Sequence, residues 1–357
     1  MKLTDNDWQD IIEDIAEQKA VILIGPEIMR FDGKPINQYL RDSLFAQNQA
    51  DIAYYYERDG LFLFASPEGK VRVARQVRRI YRTLQPDENI LKQVVEIPFH
   101  LIVSLNSDTF ISEAFYRHGV KHRFHYFQHY NRASENDEIE RPNGVVPMVY
   151  NLFGCKDQDD SLILDYNDVY KMLQSAFGTS SLPNKFLRSF RDARTYIFLG
   201  FQFDKWYSQL LLKFLSDDAA KDKMIAVKAG GRDTDTEGFI VRQFQVQFMG
   251  DQFDFFGELY RRCQITGILR SLENDGACPQ AVEIKQSVAN GELEEALDAL
   301  HQSLGNREQA IEAIALKSRY YKLKDEFEKG ILDSRDYRME LNRIIDTLLE
   351  SVKIVCP

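Results

Sequence analysis

The segment KAVILIGPEI, Lys19–Ile28, decides the fold. Apolar residues run unbroken from Ala20 to Ile24, and Gly25 and Pro26 then stop them. A run this short and this continuous reads as a strand buried on both faces and leading into a loop. Just upstream, Trp8, Ile11, Ile12 and Ile15 recur at spacings of three and four, which predicts a helix. Downstream the strand signature returns in FHLIVSLNSD (Phe99–Asp108), VPMVYNLFG (Val146–Gly154), RTYIFLGFQF (Arg194–Phe203), KMIAVKAG (Lys223–Gly230) and FQVQFMG (Phe244–Gly250). Helical patterns such as DKWYSQLLLKFL lie between several of them. Buried strands alternating with helices predict a Rossmann-like, doubly wound α/β domain with a parallel sheet over residues 1–270. Residues 37–95 read as a mostly helical insertion, the aromatic cluster DIAYYYERDGLFLF included.

The segment SLENDGACPQAVE breaks the composition, and residues 271–280 are the expected linker. Beyond it the pattern is helical to the end. Leu341, Ile344, Ile345, Leu348, Leu349 and Val352 form one stripe, with Gly330 and Asp333 as a stop and an N-cap before that helix. Residues 281–357 therefore read as a small all-helical bundle. It holds no cluster of catalytic residue types and is expected to dock. Glu292, Glu294 and Glu295 set against Lys317, Arg319, Lys322 and Lys324 suggest acidic and basic docking faces.

The net charge of -10 argues against a nucleic-acid partner. The basic run KVRVARQVRRIYR (Lys70–Arg82) has helical spacing and reads as a solvated face. No apolar signal core and no run of membrane-spanning length occurs, so a cytoplasmic location without membrane contact is expected. The four cysteines include no C-x-x-C pair, so neither a zinc ribbon nor a disulfide framework is expected.

The candidate chemistry lies at the strand exits. Gly25 ends the first strand, although one glycine alone is a weak sign of a phosphate turn. Asn106 and Asp108, two residues apart, end the second; they can hold ribose hydroxyls or order a water, or merely form an Asx turn or cap. Phe153 and Gly154 end another strand, and Gly200 marks a further close approach of backbone. His122, His125 and His129 in KHRFHYFQHY lack a nearby carboxylate or cysteine to complete a metal set and read as strand residues. KDQDD lacks the glycine and terminal glutamate of a calcium loop and reads as a solvated turn. In DYNDVY, Asn167 or Asp168 reads as a helix cap.

In their order, LIGPEI, SLNSD, VYNLFG and FLGFQFDKW resemble the motifs of the SIR2-like family, the bacterial relatives of sirtuins, over residues 8–265. Those motifs are a Gly-Ala-Gly loop, a Thr-x-Asn-x-Asp strand end, a His-Gly pair and a late Gly-x-Ser/Phe loop. Residues 281–355 resemble an effector-associated helical domain of bacterial conflict systems, a death-domain-like adaptor. The resemblance implies an antiphage effector that binds NAD+ and hydrolyses it. It also implies an oligomer, and a protein partner carrying a matching adaptor, often a signalling NTPase. Catalytic roles fall on Asn106 and Asp108, and cofactor contacts on Gly25, Pro26, Glu27, Phe153, Gly154, Gly200 and Phe201. The departures are specific. Phe153 stands where the family has its catalytic histidine, and Gly25-Pro26-Glu27 replaces Gly-Ala-Gly. Phenylalanine accepts no proton, so His125 and His129 are the substitute bases to consider. The alternative is an inactive SIR2-like module that binds a nucleotide or acts as a scaffold.

Overall fold

The computed structural model describes residues 3–128, 140–177, 182–216, 223–228, 234–272, 279–289, 291–304 and 309–355. Its strands are β1 (Ala20–Ile24), the short pair β2 (Arg30–Phe31) and β3 (Lys34–Pro35), the hairpin β4 (Ile52–Tyr56) and β5 (Leu61–Phe64), then β6 (Leu101–Ser104), β7 (Arg123–Tyr126), β8 (Met148–Asn151), β9 (Thr195–Leu199), β10 (Lys223–Lys228) and β11 (Val246–Asp251). Seven of them form one sheet in the order β11-β10-β9-β1-β6-β8-β7, with every neighbouring pair parallel. Every residue of β1, β6, β8 and β9 is buried, which explains their unbroken apolar runs. From β1 the chain moves to β6 on one side; β9 lies on the other side and leads away to β10. The crevice beyond the carboxyl ends of β1 and β9 is thus a topological switch point, the place where open α/β sheets take ligands.

The insertion is not wholly helical. DIAYYYERDGLFLF forms the antiparallel β4–β5 hairpin, because Ile52, Tyr54 to Tyr56 and Leu61 to Phe64 favour extended backbone and Gly60 adopts φ +73° at the turn. Helices Ile36–Gln47 and Pro67–Thr83 flank it in sequence. Asp165, not Asn167 or Asp168, starts the Tyr166–Phe177 helix: its Oδ1 accepts from the Asp168 amide at 2.9 Å, and Asp168 Oδ2 accepts in return from the Asp165 amide at 3.2 Å.

The basic run is less solvated than its spacing suggests. It lies on the Pro67–Thr83 helix and meets the two acidic segments. Lys70 pairs with Asp165 at 2.8 Å and Asp168 at 2.5 Å, while Arg78 pairs with Asp159 at 2.7 Å and donates to the Lys156 and Asp157 carbonyls. Arg270 is half-buried and donates to the carbonyls of Val95, Ile97 and Phe99 at 2.7, 2.9 and 2.5 Å, which fixes the lead-in to β6.

The chain divides into two compact units, one of residues 1–109 and 122–270, the other of residues 110–121 and 271–357. Helix Phe110–Arg117, which follows Asn106 and Asp108 directly, therefore belongs with the C-terminal helices, and its Tyr116 packs against their core. Those helices are Pro279–Ala289, Leu293–Leu304, Gln309–Glu328 and Ser334–Val355. Leu297, Leu300, Ile344 and Leu348 are fully buried at their centre, and Asp333 Oδ1 caps the last helix through the Asp336 amide at 2.8 Å. Several of the charges expected on acidic and basic docking faces pair within the bundle instead. Lys324 pairs with Glu294 at 2.6 Å, Arg319 with Glu340 at 2.5 Å and Lys317 with Asp298, so these charges join the helices to one another.

Candidate functional site

The strand ends meet through backbone. The Gly25 amide donates to the Leu199 carbonyl at 2.8 Å, and the Glu27 amide to the Gly200 carbonyl at 3.2 Å. A Cβ on Gly25 would sit 2.1 Å from the Gly200 oxygen; one on Gly200, where φ is +63°, would sit 2.5 Å from the Ile28 nitrogen. Only glycine at both positions lets the β1 and β9 loops interlock. The consequence is chemical. The amides of residues 25 and 27 are engaged and Pro26 has none, so none of these three residues has a free N–H for a phosphate.

Asn106 stands one strand away. It is buried, its amide donates to Ser104 Oγ at 3.1 Å, and its Nδ2 reaches the Gly25 carbonyl at 3.5 Å. With Nδ2 turned to the loop, the side-chain oxygen is left as an acceptor. Next to it, Ser107 Oγ donates to the Phe153 carbonyl at 2.8 Å and so ties the β6 exit to the β8 exit. Gly154 then turns at φ +84°, where a Cβ would meet the Ser161 oxygen at 2.0 Å. The Phe-Gly pair therefore serves two ends. Gly154 admits the returning chain, and Phe153 projects a ring.

An open cleft with a cavity volume of about 110 Å³ lies over these exits. Its floor is Pro26, Leu105, Asn106, Ser107 and Phe153, and aromatic walls come from Tyr55, Phe62, Tyr81 and Tyr207. The Phe153 and Tyr207 rings lie 5.7 Å apart. Asn37 and Gln202 add neutral amides; Asn37 Nδ2 donates to Gln202 Oε1 and Gln202 Nε2 to Glu27 Oε1, each at 3.4 Å. The Glu57–Gly60 turn is fixed from below: Lys205 Nζ donates to the Arg58 carbonyl at 2.6 Å, Tyr207 Oη to the Asp59 carbonyl at 2.9 Å, and Tyr166 Oη to the Asp59 carboxylate.

Among the described residues, no lysine, arginine, histidine, aspartate, glutamate or cysteine lines the cleft. Its titratable groups are three phenols. Burial pushes Tyr55 up to about 12 and raises Tyr207; burial raises Tyr81 too, with the Asp108 charge adding to it. At neutral pH the phenols stay protonated, so the described lining offers donors and acceptors but no general base.

Pro26, Asn106 and Phe153 thus line the cleft, whereas Gly25, Glu27, Gly154 and Gly200 shape it from behind. Asp108 is buried off the lining, its carbonyl accepting from Asn151 Nδ2 at 2.6 Å. Phe201 turns into the core, its ring 4.6 Å from Phe203 and 5.2 Å from Phe198, and its neighbour Gln202 reaches the cleft instead. His125 lies on the edge strand β7 and does not line the cleft; His129 lies outside the described residues. No metal-holding group of three or more His, Cys, Asp or Glu occurs among the described residues, and none of their helices is long and apolar enough to cross a membrane. Sequence reasoning missed Asn37, Tyr55, Gln202 and Tyr207. Gln202 carried a faint signal, two residues from a predicted close approach, and Tyr207 directly follows FLGFQFDKW, but Asn37 and Tyr55 arrive from elements distant in sequence.

Residues 100–242 match the family model of the SIR2-like domain, and residues 279–355 match that of effector-associated domain 11. No curated protein matches the chain.

Proposed function

From the SIR2-like domain that this chain carries ahead of an effector-associated domain, we propose a defence-type effector that binds NAD+ in the switch-point cleft and hydrolyses it. The observation that carries this reading is Asn106, held by Gly25 and Ser104 at the floor of an aromatic-walled cleft. In the proposed reaction the bond between nicotinamide and ribose C1′ breaks, and its electron pair leaves with nicotinamide. A water oxygen bonds to C1′, and the displaced proton passes to solvent, giving ADP-ribose. Asn106 orients a ribose hydroxyl or the water, with Asp108 setting the local charge from behind. Pro26 and Phe153 form the floor, which Gly25, Glu27, Gly154 and Gly200 hold in shape. The rings and riboses meet neutral amides and aromatic faces, while the diphosphate keeps much of its water. Absence of a base costs about 10²- to 10⁴-fold in rate, so turnover is slow. The deciding experiment incubates the intact chain with NAD+ and follows nicotinamide and ADP-ribose. Asn106→Ala should abolish release while leaving the thermal transition in place; unchanged turnover in that variant would move the chemistry elsewhere.

A second reading is favoured by Phe153 and by the protonated phenols: an inactive module that binds a nucleotide or acts as a scaffold. It predicts saturable NAD+ binding by calorimetry with no product over hours. In both readings the helical unit recruits a protein partner with a matching adaptor, a signalling NTPase being one such partner. Removing residues 281–357 would also uncover helix Phe110–Arg117, so co-purification is better tested with surface substitutions in the bundle. Retention of a partner by variants reversed across every exposed bundle face would place recruitment on the sheet domain.

A further inference from the structure

Ser208 stands in the first turn of helix Trp206–Ser216 and lines the cleft. It is 1% exposed, yet its hydroxyl has no hydrogen-bond partner among the described residues. Leaving a buried hydroxyl unpaired is costly, and such groups are rare in folded proteins. A helical serine or threonine commonly avoids the cost by bonding back to the carbonyl four residues earlier. In this chain Ser303 Oγ donates to the Ala299 carbonyl at 2.7 Å, Thr347 Oγ1 to Arg343 at 2.8 Å and Ser351 Oγ to Thr347 at 2.9 Å. Ser208 makes no such bond to Asp204. A polar group that is buried, unpaired and set on the wall of a cleft points to a ligand.

The surrounding wall narrows the chemistry of that ligand. Tyr207 and Ser107 also line the cleft, but their hydroxyls are committed to the Asp59 and Phe153 carbonyls at 2.9 and 2.8 Å. Tyr207 therefore offers its ring. The Tyr55 and Phe62 rings lie 4.9 Å apart in the same wall, and aromatic faces favour flat partners. A hydroxyl both donates and accepts, so it pairs well with a neutral N–H or C=O. A phosphate would shed its water for one neutral donor, a poor exchange. We infer that Ser208 is a ligand-binding residue of this cleft and holds an uncharged hydrogen-bonding group at the edge of a planar ring. The inference rests on the NAD+ reading and deepens it, because NAD+ carries two such groups, the carboxamide of nicotinamide and the amino edge of adenine.

Calorimetry on the intact chain tests it. Ser208→Ala should raise the NAD+ dissociation constant about 5- to 10-fold. No protein hydrogen bond is lost, so the thermal transition of the variant should stay in place or rise. Ser208→Cys, close in size but a weak donor, should weaken binding in the same direction. Nicotinamide mononucleotide carries the first ring alone and ADP-ribose the second, so the loss should follow one of them and spare the other. Unchanged NAD+ affinity in Ser208→Ala, beside saturable binding to the wild type, overturns the inference and leaves the NAD+ reading standing. Equal losses for both fragments overturn it too, since the contact would then lie on a part they share. So does a lowered thermal transition in Ser208→Ala, which would show the hydroxyl paired within the protein. A wild-type chain that binds none of the three ligands overturns both readings together.

Discussion

Gly200→Ala should be among the most damaging single-methyl additions in the α/β unit. The backbone there has φ +63°, a region that costs a non-glycine residue about 1 kcal/mol or more. The new Cβ would also stand 2.5 Å from the Ile28 nitrogen and 3.1 Å from Glu27 backbone atoms, none of which is a flexible side-chain end. Relief requires the β1 and β9 loops to part, which gives up the Glu27–Gly200 and Gly25–Leu199 hydrogen bonds. Each is worth about 1 kcal/mol net, so the expected loss is about 3–4 kcal/mol. Gly33→Ala is the control: φ is +74° there too, but nothing lies within 4 Å of its Cβ position, and the backbone term alone predicts about 1 kcal/mol. Both tryptophans, Trp8 and Trp206, lie in the α/β unit, so urea unfolding followed by tryptophan fluorescence reads that unit selectively. If Gly200→Ala costs no more than Gly33→Ala, the interlock is not what holds the cleft floor.

Phe153→His returns a proton acceptor to the cleft floor beside Tyr207 and should raise NAD+ cleavage by about 10²-fold or more; an intact variant with no gain in nicotinamide release would speak against chemistry at this floor. His100 is buried at the start of β6, and burial lowers its imidazole to about 4. A depressed folded-state value means the unfolded chain binds the extra proton, so His100 supports stability above about 6.5 and loses that contribution as pH falls toward 4. The full loss is about 3 kcal/mol. Urea midpoints should fall from pH 7 to pH 4.5, and His100→Gln should flatten that slope; an equal slope in the variant would assign the pH dependence to other groups.

The parallel sheet was legible in the chain itself, because a strand covered on both faces must be apolar throughout, and the runs at Ala20–Ile24, Leu101–Ser104 and Thr195–Leu199 are. The capped last helix was legible for a similar local reason: its stripe and the Gly330 and Asp333 signals depend on near neighbours. Local pattern failed where partners were distant. The hairpin inside the insertion was hidden by aromatics that suit a helix or a strand, until pairing of Tyr55 with Phe62 selected the strand. Nothing in the sequence says that Gly25 and Gly200 require glycine because of each other, nor that Phe201 faces the core while Gln202 faces the cleft. Side-chain direction after a strand end depends on how the next loop packs. The charges of Lys70, Arg78, Lys317 and Lys324 carried no sign of their acidic partners, since ion pairs across a fold leave no spacing in the chain. Sequence alone therefore determined the elements whose causes are local, together with the order of the strand-end motifs. Tertiary structure decided which of those residues meet, because the cleft, the interlocked glycines and the membership of helix Phe110–Arg117 in the C-terminal unit arise from contacts between segments far apart in the chain, as across the 175 residues between Glu27 and Gln202.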